Sequence, residues 1–185
     1  IPQLQVVPKA ATSIGALSGA AEGGVADYQL GAQVEAVFPG GRSEDPWILA
    51  SAIGYTSGFG SEGGYLAFTP SDGVLTPVAT LAGGAALTSY GFAGGARAGD
   101  YNADGFGDLA LSAPYSSTAA AFGGHLYQYL GDGAALASRS IIAAGSASNL
   151  RGITIARAGD INADGYDDVA IGSEGSGGMI QIHPG

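Results

Sequence analysis

The chain has 185 residues, among them 34 Gly, 8 Pro and no Cys, and its formal net charge is -10. This charge excludes a nucleic-acid binder, which needs a basic surface, and the lack of Cys excludes disulfides, Cys-ligated zinc and a thiol nucleophile. The hydrophobic share of 46% argues against disorder, and no apolar run is long enough to cross a bilayer. We therefore expect a folded protein without a nucleic-acid partner or membrane insertion.

The glycines follow a period of 60 residues. At this offset the segment 97–100 (Arg-Ala-Gly-Asp) matches the segment 157–160, and the match continues to Asp108 and Asp168. A fixed period of this length is typical of repeat proteins, whose units stack to bury surface that none could bury alone. The predicted units are 31–90, 91–150 and 151–185, preceded by a segment 1–30.

Each unit has the pattern of four short β-strands separated by Gly-rich turns. Helices are disfavoured because Gly interrupts the Ala-rich stretches, at about 1 kcal/mol for each Gly in a helix interior. Four antiparallel strands in 60 residues are typical of one blade of a β-propeller. In chain order, strands are predicted at 4–7, 14–21, 94–99, 108–113, 124–130 and 138–143.

The predicted units leave the last blade split between the two ends of the chain. Unit 151–185 stops at Gly185, the counterpart of Gly131, and so lacks its fourth strand. Residues 14–21 fall 60 before residues 74–81, which are a fourth-strand position, and so 1–30 supplies the trailing strands of a blade. About three blades cannot close a ring. We expect either part of a larger propeller or closure between chains, as a ring or a filament.

Two acidic nonapeptides, 100–108 and 160–168, carry side-chain oxygens at positions 1, 3, 5 and 9 and Gly at position 6. Position 7 is placed to offer its backbone carbonyl. Such an oxygen-only set suits Ca2+ rather than zinc, and suits Mg2+ less well. Simple turn formation is the alternative. A helix–loop–helix site is disfavoured, since position 12 holds Leu111 and Ile171 instead of an acid. The predicted ligands of the two Ca2+ ions are Asp100, Asn102, Asp104, Phe106, Asp108, Asp160, Asn162, Asp164, Tyr166 and Asp168.

The first unit has a degenerate version of the same segment. Its counterpart runs from Gly40 to Ile48, with Gly40 and Arg42 at positions 1 and 3 and no acid at the end. We predict that this unit binds no calcium.

These residues resemble the FG-GAP repeat, the blade unit of integrin α-subunit propellers and of many secreted bacterial proteins. The resemblance is carried by the run from Gly91-Phe92 through Asp100–Pro114 to Gly123-Gly124. The third unit matches from Gly159 to Gly172, and then has Ser173-Glu174 where the family has Ala-Pro. The first unit keeps only spacing and glycines. The resemblance implies Ca2+ in the strand 1–strand 2 hairpins of the second and third units.

Catalysis has little support in the sequence, and we predict a protein that is not an enzyme and has no catalytic residue. His125 and His183 are expected on strand surfaces, without an acid or Ser at a recognisable spacing. Arg97 and Arg157 are expected to hydrogen-bond backbone or acids, or else to hold a ligand carboxylate. Trp47 is expected in the core. Aromatic residues of the long strand 2–strand 3 loops are candidates for ligand contact; they are Tyr55, Phe59, Tyr115 and Phe122.

The sequence therefore favours a calcium-stabilised, extracellular or cell-surface module for adhesion or recognition of a protein or a carbohydrate. A structural subunit that assembles head-to-tail through strand completion is one alternative. A non-catalytic accessory segment of a larger secreted enzyme is another. The remaining blades of a larger propeller, or further copies of the chain, are the other expected partners.

Overall fold

The chain is all-β in the part that the structure, a computed structural model, describes: residues 30–41, 45–55, 63–71, 74–82 and 96–185. Eleven strands form three antiparallel sheets, and no α-helix occurs in these ranges. Sheet 1 contains β1 (Leu30–Val37), β2 (Trp47–Ala52), β3 (Gly64–Ser71) and β4 (Val74–Ala82). Sheet 2 contains β5 (Ala96–Gly99), β6 (Asp108–Ala113), β7 (His125–Gly131) and β8 (Leu136–Ala144). Sheet 3 contains β9 (Thr154–Gly159), β10 (Asp168–Ser173) and β11 (Met179–His183), with a short 3-10 turn at Gly175–Gly177.

The antiparallel order of the strands confirms the predicted fold class. Sheets 1 and 2 have four strands in chain order, and sheet 3 has the order β11-β10-β9. Strand β6 has the predicted bounds, whereas β8 begins two residues earlier than the predicted 138–143 and ends one residue later. The strands predicted at 4–7 and 14–21, together with Arg42 and Phe59, lie outside the described residues. The unit boundaries and the number of blades stay predictions.

The three sheets pack face to face, and sheet 2 lies in the middle. Leu109 and Leu111 of β6 are fully buried against a sheet 1 cluster that includes Leu49 and Tyr65. The alternate residue Ala110 belongs to a second cluster, which contains residues of sheet 3. Because successive side chains of a strand point to opposite faces, β6 contributes to both interfaces. All six of its residues are therefore buried.

The second interface joins sheet 2 to sheet 3. Leu126 of β7 lies in one cluster with Ile155, Val169 and Ile171 of sheet 3. The three sheet 3 residues are β-branched, and such side chains fit a pleated surface that is buried on one face. Trp47, expected in the core, is half-buried and packs against the cluster between sheets 1 and 2.

The structural repeat between sheets 1 and 2 is 61 residues, one more than the sequence period. Ser51 pairs with Tyr65 in sheet 1, and Ser112 pairs with Leu126 in sheet 2. A 60-residue offset holds between β6 and β10, whose first residues are Asp108 and Asp168. The connection between β1 and β2 is also one residue longer than that between β5 and β6, because Val37 pairs with Trp47 whereas Gly99 pairs with Asp108.

This register corrects the interpretation of the first unit's loop. Phe38, not Gly40, directly follows β1 and stands where Asp100 follows β5. Position 1 of this loop is therefore Phe38 instead of Gly40. Since Phe38 has no side-chain oxygen, we still predict that this unit binds no calcium.

His125 differs from the expectation that it lies on a strand surface. The side chain is 2% exposed, its Nδ1 has no hydrogen-bond partner among the described residues, and the ring stacks on Tyr127 at a centroid distance of 6.0 Å. Burial lowers the pKa of His125 below its ordinary value, because the charged imidazolium would lose its hydration. The other histidine, His183, is half-buried at the end of β11, and its Nδ1 lies 2.7 Å from the carbonyl oxygen of Pro184.

The lowered pKa predicts a loss of stability in mild acid. Below about pH 6.5 the unfolded chain takes up a proton on His125 more readily than the folded chain, and so the free energy of unfolding falls by at most about 1.4 kcal/mol per pH unit. The control is His125→Met, because Met179 has the same register position in sheet 3. Urea unfolding from pH 7.5 to 5.0 should give a steeper decline for the wild-type chain. Equal declines would contradict the assignment.

Candidate metal centre

The first acidic nonapeptide forms a tight loop between β5 and β6, named loop A (residues 100–108). The Asp100 carboxylate accepts hydrogen bonds from the backbone N–H groups of Asp104 and Gly105, both at 3.1 Å. The Asn102 side-chain oxygen also accepts from the N–H of Asp104, at 3.1 Å. Asp104 in turn accepts from the N–H of Phe106 at 2.8 Å. The side chains at positions 1, 3 and 5 therefore all point into the same turn.

The second nonapeptide, named loop B (residues 160–168), repeats this arrangement between β9 and β10. Asp160 accepts from the N–H groups of Asp164 and Gly165, each at 2.9 Å. Asp164 accepts from the N–H of Tyr166 at 3.0 Å, and the Asn162 amide nitrogen donates to Asp164 at 2.7 Å. The two loops have the same spacing of acids and the same hydrogen-bond pattern. We infer that this spacing, rather than the different surroundings of each loop, determines their conformation.

Glycine at position 6 has a conformational reason in both loops. Gly105 has a φ of 88° and Gly165 a φ of 96°, in the region that side chains with a Cβ rarely adopt. The preceding Ala103 and Ala163 also have positive φ, at 55° and 59°. Two left-handed residues within one turn bring the backbone amides of positions 5 to 7 to one side of the loop, where the acidic side chains meet them.

The carboxylates at position 9 are buried at the first residue of β6 and β10. Asp108 and Asp168 are both 0% exposed. Asp108 accepts from the N–H groups of Tyr101 and Gly131, and Asp168 accepts from the N–H groups of Ile161 and Gly185. Asp108 thus joins loop A to the end of β7, and Asp168 joins loop B to Gly185, which follows β11.

Burial raises the pKa of the Asp108 carboxyl to about 6. The hydrogen bonds from Gly131 and Tyr101 act in the opposite direction, and the nearby Asp104 and Asp100 charges raise the pKa further. A buried carboxylate among other carboxylates gains from a nearby cation, which removes this repulsion.

The predicted ligands are only partly gathered. Among the described residues, no three Asp, Glu, His or Cys side chains converge as a metal site. Positions 1, 3 and 5 of each loop are neighbours, while position 9 faces backbone amides. In loop A the Asn102 side-chain nitrogen donates to Asp104 at 2.8 Å. The donor chemistry nevertheless fits a hard cation, because every side-chain donor at these positions can offer oxygen and none is a thiolate or imidazole.

Loop A and loop B contact one another through Asp167, which the sequence analysis did not single out. The Asp167 side chain accepts from the N–H of Asp100 at 2.8 Å, and the N–H of Asp167 donates to the carbonyl of Asp100 at 3.0 Å. Arg157 binds the same carboxylate through Nε at 3.1 Å and through Nη2 at 2.7 Å. The sequence feature that could have indicated this contact is the acid at position 8 of loop B, where loop A has Gly107.

The two arginines before the loops are not equivalent. Arg97 pairs with Ala110 in β5–β6, whereas Arg157 pairs with Val169 in β9–β10. The pairing differs because the β9–β10 register shifts between Asp168 and Val169. The expectation that such an arginine binds a neighbouring acid is confirmed for Arg157.

Loop A also contacts the loop of sheet 1. The N–H of Gly107 donates to the carbonyl of Phe38 at 2.8 Å, and in the adjoining β7–β8 turn the N–H of Gly133 donates to the carbonyl of Pro39 at 3.0 Å. A Cβ on Gly107 would lie 2.8 Å from the backbone nitrogen of Phe38. The glycine at this position therefore permits close approach of two neighbouring loops.

The described aromatic ligand candidates differ in their surroundings. Tyr55 packs against the hydrophobic cluster of sheet 1 that includes Leu66. Its hydrogen bond to Ala52 matches that of Ser116 to Ala113, and so Tyr55 and Tyr115 are not at equivalent positions. Tyr115 is half-buried, and Phe122 is 56% exposed.

Comparison with known proteins agrees with the sheets and loops. Residues 92–128 and 153–183 match the FG-GAP repeat family model. The chain is 34% identical to integrin alpha-7 of Homo sapiens over 113 residues, which is 59% of this chain and 9% of that protein. It is 35% identical to integrin alpha-6 of Gallus gallus over 89 residues (46% and 8%), and 38% identical to integrin alpha-4 of Xenopus laevis over 109 residues (56% and 10%). The chain thus matches at most a tenth of the length of these relatives.

Stacked antiparallel sheets with acidic loops between their first two strands define an all-β protein of the β-propeller blade type. Residues 92–128 and 153–183 are FG-GAP repeats of the integrin α type. Within the ranges that the structure describes, no helix has the length and hydrophobicity needed to span a membrane.

Proposed function

We propose that loop A and loop B each bind one Ca2+ ion, which stabilises the module. The observation that supports this most directly is the repeated inward arrangement of positions 1, 3 and 5 in both loops. The ligands are the side chains at positions 1, 3, 5 and 9 and the carbonyl at position 7, as expected from the sequence and from the FG-GAP resemblance. Calcium suits this set because it accepts several oxygen ligands in flexible geometry.

In this proposal the ion binds to carboxylate lone pairs that the hydrogen bonds within the loop leave available. Asp100 and Asp104 each have lone pairs beyond those used by the loop amides. Buried Asp108 supplies a negative charge that no described basic side chain neutralises by an ion pair. The Asn102 side chain must rotate its amide so that oxygen rather than nitrogen faces the centre.

Single substitutions at position 5 should each remove one ion. We expect the wild-type chain to bind two Ca2+ ions. The Asp104→Asn and Asp164→Asn variants should each bind one, because the substitution removes the negative charge of a ligand, which backbone groups cannot replace. Equilibrium dialysis with radioactive calcium measures the number bound. Asp132→Asn is the matched control, since Asp132 caps the β7–β8 turn by accepting from Ala134 and Ala135 and belongs to neither loop. Unchanged stoichiometry in both loop variants would overturn the assignment.

We further propose that the chain is an extracellular or cell-surface recognition module without enzymatic activity. Its support is the identity with integrin alpha subunits and the presence of FG-GAP repeats in the chain. A protein is the favoured ligand, and a carbohydrate is the other candidate. Among the described candidates, the 56% exposure of Phe122 in the β6–β7 connection supports this residue as a contact.

An array of extracellular proteins and glycans, probed with the full chain in calcium and in chelator, tests this recognition. The proposal expects a calcium-dependent signal on protein spots that Phe122→Ala reduces. A signal on glycans alone would favour the carbohydrate ligand, and the absence of any calcium-dependent signal would contradict the recognition function.

Self-assembly through strand addition is a second candidate function, and one observation favours it. Among the described strands, β11 lies at an edge of sheet 3, and Ile180 and Ile182 on it are 81% and 45% exposed. An apolar edge strand is a template for pairing with another chain. Light scattering over a range of protein concentrations should then show dimers or larger species. A strict monomer at all concentrations would contradict assembly.

A further inference from the structure

We propose that Asp167 is a positioning residue that couples the two calcium loops, so that an ion in loop B strengthens binding in loop A. This inference rests on the calcium sites proposed above. Its basis is the pair of hydrogen bonds by which Asp167 holds Asp100: its carboxylate accepts from the Asp100 N–H, and its own N–H donates to the Asp100 carbonyl.

The position of Asp167 in the chain makes it suited to this coupling. It lies between Tyr166 and Asp168, which are positions 7 and 9 of loop B. Asp100 is position 1 of loop A. The segment 166–168 carries two ligands of the loop B ion. Through Asp167 it also binds the N–H and the carbonyl of Asp100, which is the first ligand of the loop A ion. Ordering of loop B by its ion would order the start of loop A before its own ion binds, which lowers the cost of that second binding.

The Asp167 carboxylate is itself held in place. Arg157 of β9 binds it through two guanidinium nitrogens, and the side chain of Asp167 is 12% exposed whereas that of Arg157 is 48% exposed. A planar guanidinium that contacts both carboxylate oxygens fixes their orientation as well as their position. One oxygen, Oδ2, then serves Arg157 and the Asp100 N–H together.

The neighbouring interface provides an internal comparison. Between sheets 1 and 2, Gly107 occupies the position of Asp167, and its N–H donates to the carbonyl of Phe38. The backbone half of the contact is thus present at both interfaces. The side-chain half can exist only at the interface between loops A and B, since glycine has no carboxylate. This is also the interface that joins two candidate metal loops.

The coupling predicts a specific pattern of calcium affinities. Asp164→Asn, which disables loop B, should weaken calcium binding at loop A at least about five-fold, the lower end of typical coupling between sites. In chains that also carry Asp167→Gly, which copies Gly107, the same Asp164→Asn change should weaken loop A less than about two-fold, which is the range within which independent sites are additive.

Calcium titration calorimetry of the full chain measures both changes, and the difference between them is the coupling. Glu174→Gln is the charge-matched control, because Glu174 is exposed at the other end of β10 and makes no side-chain bond to the 3-10 turn. In that background the five-fold loss should be retained. A merely structural role of Asp167 would lower the Tm without changing this pattern.

Amide hydrogen exchange gives a reciprocal readout. In a chain whose loop A is disabled by Asp104→Asn, calcium at loop B should still slow exchange of the Asp100 amide, and Asp167→Gly should remove that slowing. Equal loop A affinities with and without loop B, in a chain that binds two ions, would overturn the coupling and leave the calcium sites intact. No binding to the wild-type chain would overturn both.

Discussion

Removing calcium is expected to lower the Tm of the chain by about 5–10 °C for each site. An ion that binds only the folded state at 100 times its dissociation constant adds about 2.7 kcal/mol to the free energy of unfolding. For chains of about this size, 1 kcal/mol corresponds to a Tm change of about 2–4 °C. Differential scanning calorimetry with calcium and with a chelator measures the difference directly.

The physical reason lies in the charge of the two loops. Buried Asp108 and Asp168 and the acids at positions 1 and 5 repel one another without a cation, and Ca2+ reverses this repulsion. The double variant Asp104→Asn with Asp164→Asn is the control, and its Tm should hardly respond to chelator. If the wild-type Tm were the same with and without calcium, neither loop would be a metal site.

Leu111→Ala is expected to destabilise the chain by about 3 kcal/mol. Leu111 is 0% exposed and lies between sheets 1 and 2, in contact with a cluster that extends over both. Its truncation removes apolar contacts and leaves a cavity, for which losses of about 2–5 kcal/mol are typical. Urea unfolding of the calcium-loaded chain measures the change.

Ile180→Ala is the matched control for this core substitution. Ile180 is 81% exposed on β11, and so its truncation should change the free energy of unfolding by less than about 0.5 kcal/mol. A similar small effect at Leu111 would show that sheets 1 and 2 do not share a core. A large effect at Ile180 would show that this edge of sheet 3 is covered in solution.

The strands could be predicted because their signals are local. Strand β6 was predicted at its observed bounds, since Asp108 follows the loop glycines and Pro114 follows Ala113. The turn residues that separate strands, such as the Gly131–Gly133 segment, are likewise local. The face-to-face packing follows from this pattern, because strands that are apolar on both faces need a neighbour on each side.

The register could not be predicted to the residue. The repeat between sheets 1 and 2 is 61 residues rather than 60, and this moves Tyr55 from the place of Tyr115 to that of Ser116. His125 was misplaced for a related reason. Its burial depends on which neighbouring sheet covers the start of β7, and a polar side chain in a short strand does not indicate this.

The candidate site was predicted in its residue types but not in its contacts. The spacing of Asp100, Asn102 and Asp104 indicates one turn, and the structure brings these three together. Asp108 is bound to the backbone amides of Tyr101 in its own loop and of Gly131 at the end of β7, and neither backbone contact carries a sequence signal. The contact between Asp167 and Asp100 depends on the packing of two sheets and is equally invisible to spacing alone.

A crystal structure of the chain grown in calcium, with anomalous data, would locate the bound ions. We expect one anomalous peak in loop A and one in loop B, each about 2.3–2.6 Å from oxygens of positions 1, 3, 5, 7 and 9. Loops without a peak, in which the carboxylates still accept hydrogen bonds from their own backbone amides, would contradict this expectation.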